Sequence, residues 1–414
     1  MQRIHLYGRR FHGIIACMAF GLTATPATAF ELLDGKIRAD IYVMQAWQTL
    51  EADDNAYNLE NSDTSSGFNR IRATIGLTLK LNDRISGYVE LSEEPDDFGD
   101  TFQFSNDLAY LDYQITDPLV LRFGNLVTTT MNFLHYSDGA AVQTNPFSNN
   151  SIADFVTAES GIQLIGTHAL NGAFKSFGWD VGITKANFGE GEGAVFAADV
   201  PYQYMAKARL ALSSAWSFGV GYFTVDGSDR LNPAGGNGVA TGSGMWFGDG
   251  DNFNLPGSHN TAARDLHSGL VPGIDARLWS AEAQFEYAKG YVRGSIGQGE
   301  DEWRFIGADG SQAVLSIAAD VVRSKSRVSF YTAETRFDVS PKVYIAGRYS
   351  YAQNDSPGVP GSPDQQRIQL GVGLWLTEGA LIKAEYLRQL EERGGPGQIG
   401  DDLDGVMIET SVAF

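Results

Sequence analysis

Residues 68–80 read Phe-Asn-Arg-Ile-Arg-Ala-Thr-Ile-Gly-Leu-Thr-Leu-Lys, and this stretch decides the fold. Ile71, Ala73, Ile75, Leu77 and Leu79 fall on one side; Arg70, Arg72, Thr74, Gly76, Thr78 and Lys80 fall on the other. A period of two held this long predicts a β-strand with one apolar and one wet face, because successive side chains of a strand point in opposite directions. Asn82-Asp83-Arg84 supplies a turn, after which Ile85, Gly87, Val89 and Leu91 alternate against Ser86, Tyr88, Glu90 and Ser92. The two segments form a hairpin.

The same unit recurs along the chain. Alternating segments at 37–47, 68–80, 85–92, 108–115, 119–127, 161–169, 177–187, 203–212, 216–225, 276–287, 291–298, 326–337, 343–353, 366–376, 380–390 and 405–414 make sixteen candidate strands. Seven short turns and eight long connections join them in strict alternation, and the long ones are rich in Gly, Asp, Asn and Ser. A soluble sandwich has no reason to sort its loops by length. An outer-membrane barrel does, with an even strand number, short periplasmic turns and longer extracellular loops. The expected fold class is all-β, a transmembrane antiparallel β-barrel of about 16 strands, forming one domain over residues 30–414.

Composition agrees with this reading. The 48 glycines in 414 residues exceed the usual share of about 7%, and past the N-terminus no apolar run approaches the ~18 to 20 residues of a spanning helix. A net charge of -20 would repel phosphates, which argues against a nucleic-acid partner. At the N-terminus Arg3, Arg9 and Arg10 precede the apolar stretch 14–24, and Ala27 and Ala29 give a small-x-small cleavage pattern. Residues 1–29 are therefore read as a Sec signal peptide. A rival lipobox, Ile14-Ile15-Ala16-Cys17, leaves about six residues for an apolar region that normally has ~7 to 15. Removing 1–29 takes away the single cysteine and leaves 27 basic against 50 acidic residues, net -23. The mature chain then has no thiol for a disulfide, a metal site or a nucleophile.

The last strand places Val406, Ile408, Thr410, Val412 and Phe414 on its apolar face. The terminal Phe resembles the assembly signal of outer-membrane barrels. Together with the leader, the missing thiol and the sixteen strands, it makes the mature chain resemble the Gram-negative outer-membrane porins in architecture. A local stretch, Ala109-Tyr110-Leu111-Asp112-Tyr113 followed by Leu121-Arg122-Phe123-Gly124, resembles a hairpin of the phosphate-selective porin O/P family, although that family's lysine-rich phosphate path is not evident. The resemblance implies a water-filled channel for passive diffusion of small hydrophilic solutes and ions. It also implies a seat in outer-membrane lipid and lipopolysaccharide, a homotrimer and no cofactor.

A sixteen-stranded barrel is wide enough to enclose water, so inward side chains carry the function. Alternation sends Arg38, Arg70, Arg72, Arg122, Lys207, Arg209, Arg336, Arg348, Arg367 and Lys383 inward, with Asp40, Glu90, Asp112, Asp180, Glu282, Glu286, Glu334, Glu385 and Glu409. Ten charges against nine make the interior neither anionic nor cationic. Closing the barrel sets Arg348, Arg367, Lys383, Arg38, Arg70, Arg72 and Arg122 on one wall, though at different heights. Arginine suits such a wall because it stays charged at any working pH. In the porin plan, acidic residues of an inward-folded third loop face this wall. The third long connection, 128–160, carries Asp138 and Asp154, with Glu159 at its end. The expectation is a constriction with a transverse field between Asp138 and Asp154 and part of the arginine wall. The competing reading pairs these arginines with neighbouring inward carboxylates.

Outward aromatics near strand ends, among them Trp47, Trp179, Trp216, Tyr222, Trp279, Tyr287 and Tyr349, suit interfacial girdles. Asp53-Asp54, Glu93-Glu94 and Asp96-Asp97 make the first two outer loops acidic, and Asp249, Asp251 and Asn252 offer oxygen ligands without the rest of a Ca²⁺ loop. No metal is assigned. The mature chain has four histidines, His135, His168, His259 and His267, in no nucleophile motif, so the protein is read as a non-enzyme. The alternatives are a substrate-specific channel, a surface adhesin using the 50-residue fifth loop, or a hydrolase on a barrel scaffold.

Overall fold

The computed structural model describes residues 30–52, 64–93, 105–133, 142–148, 151, 157–185, 202–226, 271–306, 325–354, 364–391 and 403–414. The predicted leader with Cys17, and the loop residues Asp53, Asp54, Glu94, Asp96, Asp97, Asp138, Asp154, His135, Asp249, Asp251, Asn252, His259 and His267, lie outside them.

Among the described residues there are seventeen strands: β1 (Phe30–Leu32), β2 (Ile37–Ala52), β3 (Thr64–Lys80), β4 (Ile85–Glu93), β5 (Ser105–Thr116), β6 (Leu119–Thr128), β7 (Thr157–Ala169), β8 (Ser176–Lys185), β9 (Tyr202–Ala211), β10 (Trp216–Asp226), β11 (Val271–Tyr287), β12 (Gly290–Ile306), β13 (Lys325–Ser340), β14 (Val343–Asn354), β15 (Asp364–Trp375), β16 (Ala380–Glu391) and β17 (Leu403–Ala413). β2 to β17 pair antiparallel with their sequence neighbours, and β17 pairs with β2, from Leu403 opposite Ala52 to Ala413 opposite Tyr42. The ladder closes on itself. Phe414 completes the seam, its N–H donating to the Ile41 carbonyl at 2.8 Å while its carbonyl accepts from Ile41 at 3.3 Å. Closure leaves no open edge of unpaired backbone, which is what a sheet in hydrocarbon requires.

β1 is a strand that alternation did not reveal. It turns back through Leu33, Asp34 and Gly35, all at positive φ, and pairs Phe30 to Leu32 with Ala39 to Ile37. It thereby covers the part of β2 that lies beyond the end of β17. Several strands also run past their expected ends: β12 reaches Ile306 and β11 begins at Val271. Backbone pairing there continues from Val271 opposite Ile306 to Ala276 opposite Asp301, beyond the segments that alternation marks.

The two faces separate as the sequence indicates. Ile41, Val43, Leu111, Phe123, Ile162, Val220, Ile296, Ile345, Leu370 and Ile408 are exposed and point away from the axis. An apolar surface encircling the molecule far exceeds the patches of a soluble monomer and suits lipid. Aromatics cluster at both ends of this band. Trp216 meets Phe285 at 4.8 Å between centroids near the short turns, and Tyr331 meets Tyr351 at 4.8 Å near the long loops. Buried polar residues, among them Glu334, Arg348, Gln369, Lys383 and Glu409, lie on the inward face. The core of this molecule is therefore polar.

Candidate channel lining and its constriction

The connection between β6 and β7 turns inward. Its described residues, 129–133, 142–148 and 151, are mostly buried and lie against the inner wall in two places. The first stretch sits on β10 to β12. Ser280 Oγ donates to the Thr130 carbonyl at 3.0 Å, the N–H groups of Asn132 and Phe133 donate to the Glu282 carboxylate, and Arg293 donates to the Phe133 carbonyl. Strand side chains thus satisfy loop backbone groups that have no ladder partner. The approach needs Gly221, where a Cβ would overlap the Thr130 carbonyl.

The second stretch sits on β14 to β17. Lys383 Nζ donates to the carbonyls of Val142 at 2.9 Å and Phe147 at 3.0 Å, and the Ser148 N–H donates to Glu385 at 2.8 Å. Tyr344 donates to the Pro146 carbonyl at 3.1 Å, and Gln143 Nε2 donates to the Gly379 carbonyl, in a short turn, at 3.0 Å. Arg348 donates to Asn145 Oδ1 at 3.0 Å and lies over the Phe147 ring at 4.4 Å. Gly371 faces Phe147 and Gly373 faces the Tyr344 ring, so both strand glycines mark space taken by aromatic rings.

Charges beneath the loop are compensated and dry. Glu334 bridges Arg293 at 2.6 Å and Arg348 at 2.7 Å, and Lys383 meets Glu409 at 2.6 Å; none of these side chains is more than 6% exposed. Elsewhere on the inward face Gln48, Thr74, Glu90 and Ser92 are also buried, and the wetter ion pairs lie near the short turns. Arg38, 40% exposed, pairs with Asp40 at 2.7 Å, and Arg122, 24% exposed, forms a two-pronged pair with Asp112 at 2.7 and 2.8 Å. Arg122 also covers the Tyr110 ring at 3.9 Å, and beside it Tyr88 donates to Glu90. The barrel thus has a wall that holds the loop and, on β2, β5 and β6, a few charged side chains that water reaches.

The seven predicted wall residues divide between these regions. Arg38 and Arg122 lie on the wet side near the short turns. Arg72 stands opposite Met44, and Arg70 opposite Ala46 next to a bulge. Arg367 is buried and donates to Gln389 at 2.8 Å. Arg348 and Lys383 do not stand across a gap from the loop, as the basic-wall expectation has it, but in contact with it. Loop carbonyls and the neighbouring carboxylates Glu334 and Glu409 satisfy their charge more completely than water in a narrow gap would. The structure brings Arg348 and Lys383 together with the loop, and it does not join the other five to them in one ring. The predicted acidic partners Asp138 and Asp154 lie outside the described residues.

Sequence reasoning missed Arg293. It lies at the inward parity of 291–298, so alternation alone reaches it. The loop residues Thr130, Gln143, Asn145 and Ser148 carry no such signal, since their partners lie 150 to 268 residues away in sequence. Among the histidines, His168 lies on the outward face, where Trp179 Nε1 donates to it at 3.4 Å. No group of three or more metal-ligating side chains occurs among the described residues.

No family model matches the sequence, and neither does any curated protein. Solved structures do match. OmpF of Salmonella typhi, in a complex with daunomycin, superposes with a TM-score of 0.54 at 11% identity over 93% of this chain and 100% of that one. An anion-selective porin from Comamonas acidovorans gives 0.53 at 11% over 91% and 99%. The trimer form of OmpT, an outer membrane protein of Vibrio cholerae, gives 0.50 at 11% over 91% and 99%. At such identities the likeness speaks of fold. The closed ladder, the lipid-facing apolar band and these superpositions give this chain the fold of the sixteen-stranded outer-membrane porins.

Proposed function

We propose that the protein is an outer-membrane porin, a water-filled channel through which small hydrophilic solutes and ions diffuse passively. One observation carries this reading: the inward loop is anchored on β10 to β12 and β14 to β17, while Arg38, Arg122 and Asp112 on other strands keep partial access to water. A loop that filled the barrel would bury these side chains as well. In this reading Arg38, Arg70, Arg72, Arg122 and Arg367 belong to the channel wall, whereas Arg348 and Lys383 set the loop's position. Asp138 and Asp154 are its acidic counterpart on the loop. Residues 1–29 direct export, the apolar band meets outer-membrane lipid and lipopolysaccharide, and three copies assemble as in the trimer form of its structural neighbour. No catalytic role is proposed.

The test is conductance in a planar bilayer. Purified, folded protein should give stepwise currents, in threes for a trimer, and a reversal potential in a salt gradient reports its ion preference. Folded protein that inserts and gives no steps would refute the channel reading and favour an adhesin. Arg72→Ala should shift selectivity or conductance; a variant identical to wild type in both would remove Arg72 from the lining.

A further inference from the structure

Arg38, Arg122, Arg293, Arg336, Arg348 and Lys383 each hold a carboxylate within 3.0 Å. Arg209, on the inward face of β9, makes no hydrogen bond and no ion pair among the described residues, and Asp180 is the one charged group there that acts on it. Its ladder neighbours are Gly178 on β8 and Gly219 on β10, so no side chain flanks the guanidinium within the sheet. Two residues along, Lys207 reaches Asp180 at only 3.6 Å, beyond hydrogen-bond length, and Asp180 Oδ1 is buried without a hydrogen-bond partner. Thr130 Oγ1, on the loop stretch that crosses Gly221 beside Lys207, is likewise buried and unpartnered. Those six cations each hold a carboxylate, whereas Arg209 holds none, and two buried oxygen atoms in the same region lack hydrogen-bond partners.

We propose that Arg209, with Lys207 and Asp180 beside it, binds the carboxylate of a monoanionic solute passing through the channel. Asp180 balances Lys207, which leaves one positive charge, and one charge suits a carboxylate better than a phosphate dianion. The planar guanidinium fork matches the two oxygens of a carboxylate. The exposed part of the Asp180 carboxylate accepts a hydroxyl or ammonium donor elsewhere on the same solute. Small hydroxy acids and amino acids have this chemistry. The inference rests on the channel reading and names a solute class for it.

The probes are lactate and lactamide, which match in size and differ in the carboxylate. In planar bilayers at low ionic strength, where screening is weak, wild-type conductance should saturate as lactate replaces chloride, and lactamide should leave the current unsaturated. Arg209→Gln should raise the half-saturating lactate concentration by about tenfold or more, the equivalent of one charge-assisted hydrogen bond. Arg209→Lys keeps the charge without the fork and should fall between the two. Conductance that rises linearly with lactate in the wild type overturns the proposal without any variant. An equal shift from Arg336→Gln, or stronger saturation by inorganic phosphate than by lactate, overturns it as well. Loss of all channel steps in the wild type would refute the channel reading itself, a result distinct from channels that conduct lactate without saturating.

Discussion

Replacing Lys383 with Met separates the two tasks of the buried wall. The side chain is 1% exposed and its ammonium meets Glu409, itself 0% exposed, at 2.6 Å. Glu409 has no hydrogen-bond partner, and Lys383 is its ion-pair partner among the described residues. Lys383→Met therefore strands a buried carboxylate, at a cost of about 3 to 5 kcal/mol. It also removes the loop hydrogen bonds, a long one to Asn145 and two shorter ones to Val142 and Phe147, the shorter two worth about 1.5 to 3 kcal/mol each for a charged donor. Ser148, Gln143, Pro146 and Asn145 keep their own anchors, so the loop loosens without leaving the wall. The expected phenotype is a lower midpoint of thermal unfolding in detergent together with a higher and noisier unitary conductance.

A second substitution tells the two losses apart. Glu409→Leu in the Lys383→Met background removes the stranded charge, and apolar replacement of a buried ion pair is commonly neutral or stabilising. The double variant should regain the part of the unfolding midpoint that the stranded charge cost and retain the raised conductance, because the hydrogen bonds to Val142 and Phe147 are still missing. Planar-bilayer recordings and a heat-modifiability series on gels give the two readouts. If the double variant recovers both properties, the loop is not held by Lys383. If the single variant changes neither, the buried pair itself is misread.

Three further outcomes follow from the same geometry. Gly221→Ala drives a Cβ into the Thr130 carbonyl and should cost about 1 to 3 kcal/mol by overpacking; a lowered unfolding midpoint with altered conductance is expected, and an unchanged protein would mean that the loop is not seated on β10. Arg38→Gln removes a 40% exposed lumen cation and frees Asp40, so the reversal potential in a salt gradient should move toward cation preference, and the shift should fade at 1 M salt, where screening falls to about 3 Å. Deleting Phe414 takes two hydrogen bonds from the β17 to β2 seam, and the fraction of chain recovered as folded barrel on unheated gels should drop; full recovery would make the terminal residue dispensable for closure.

The barrel is legible because alternation is a property of each strand by itself. Once Ile71 to Leu79 are apolar on one face, a shift of one residue would send them into water, so register follows from local sequence. The sorted lengths of turns and loops add which ends lie together. Ionic pairing on the wet face is partly legible: Arg122 and Asp112 lie opposite each other in neighbouring strands of one hairpin, and inward parity lists both. What alternation cannot give is the inward path of a loop. The predicted basic wall treats Arg348 and Lys383 as residues facing open water, whereas each is already satisfied by a carboxylate and by loop atoms more than 200 residues away in sequence.

The high glycine content changes meaning with that loop. Gly221, Gly371 and Gly373 sit in strands, where glycine ordinarily weakens pairing and offers no side chain to pack. Each is occupied from within, by Thr130, Phe147 and Tyr344 respectively. An inward strand glycine thus marks space taken by a loop residue, as at Gly221 and Gly371, or by a side chain of the neighbouring strand, as at Gly373. Gly178 and Gly219 share that face beside Arg209. Asn132 of the loop comes down over Gly219, so the loop itself borders Arg209. The lactate measurement therefore tests the loop's path as well as the solute.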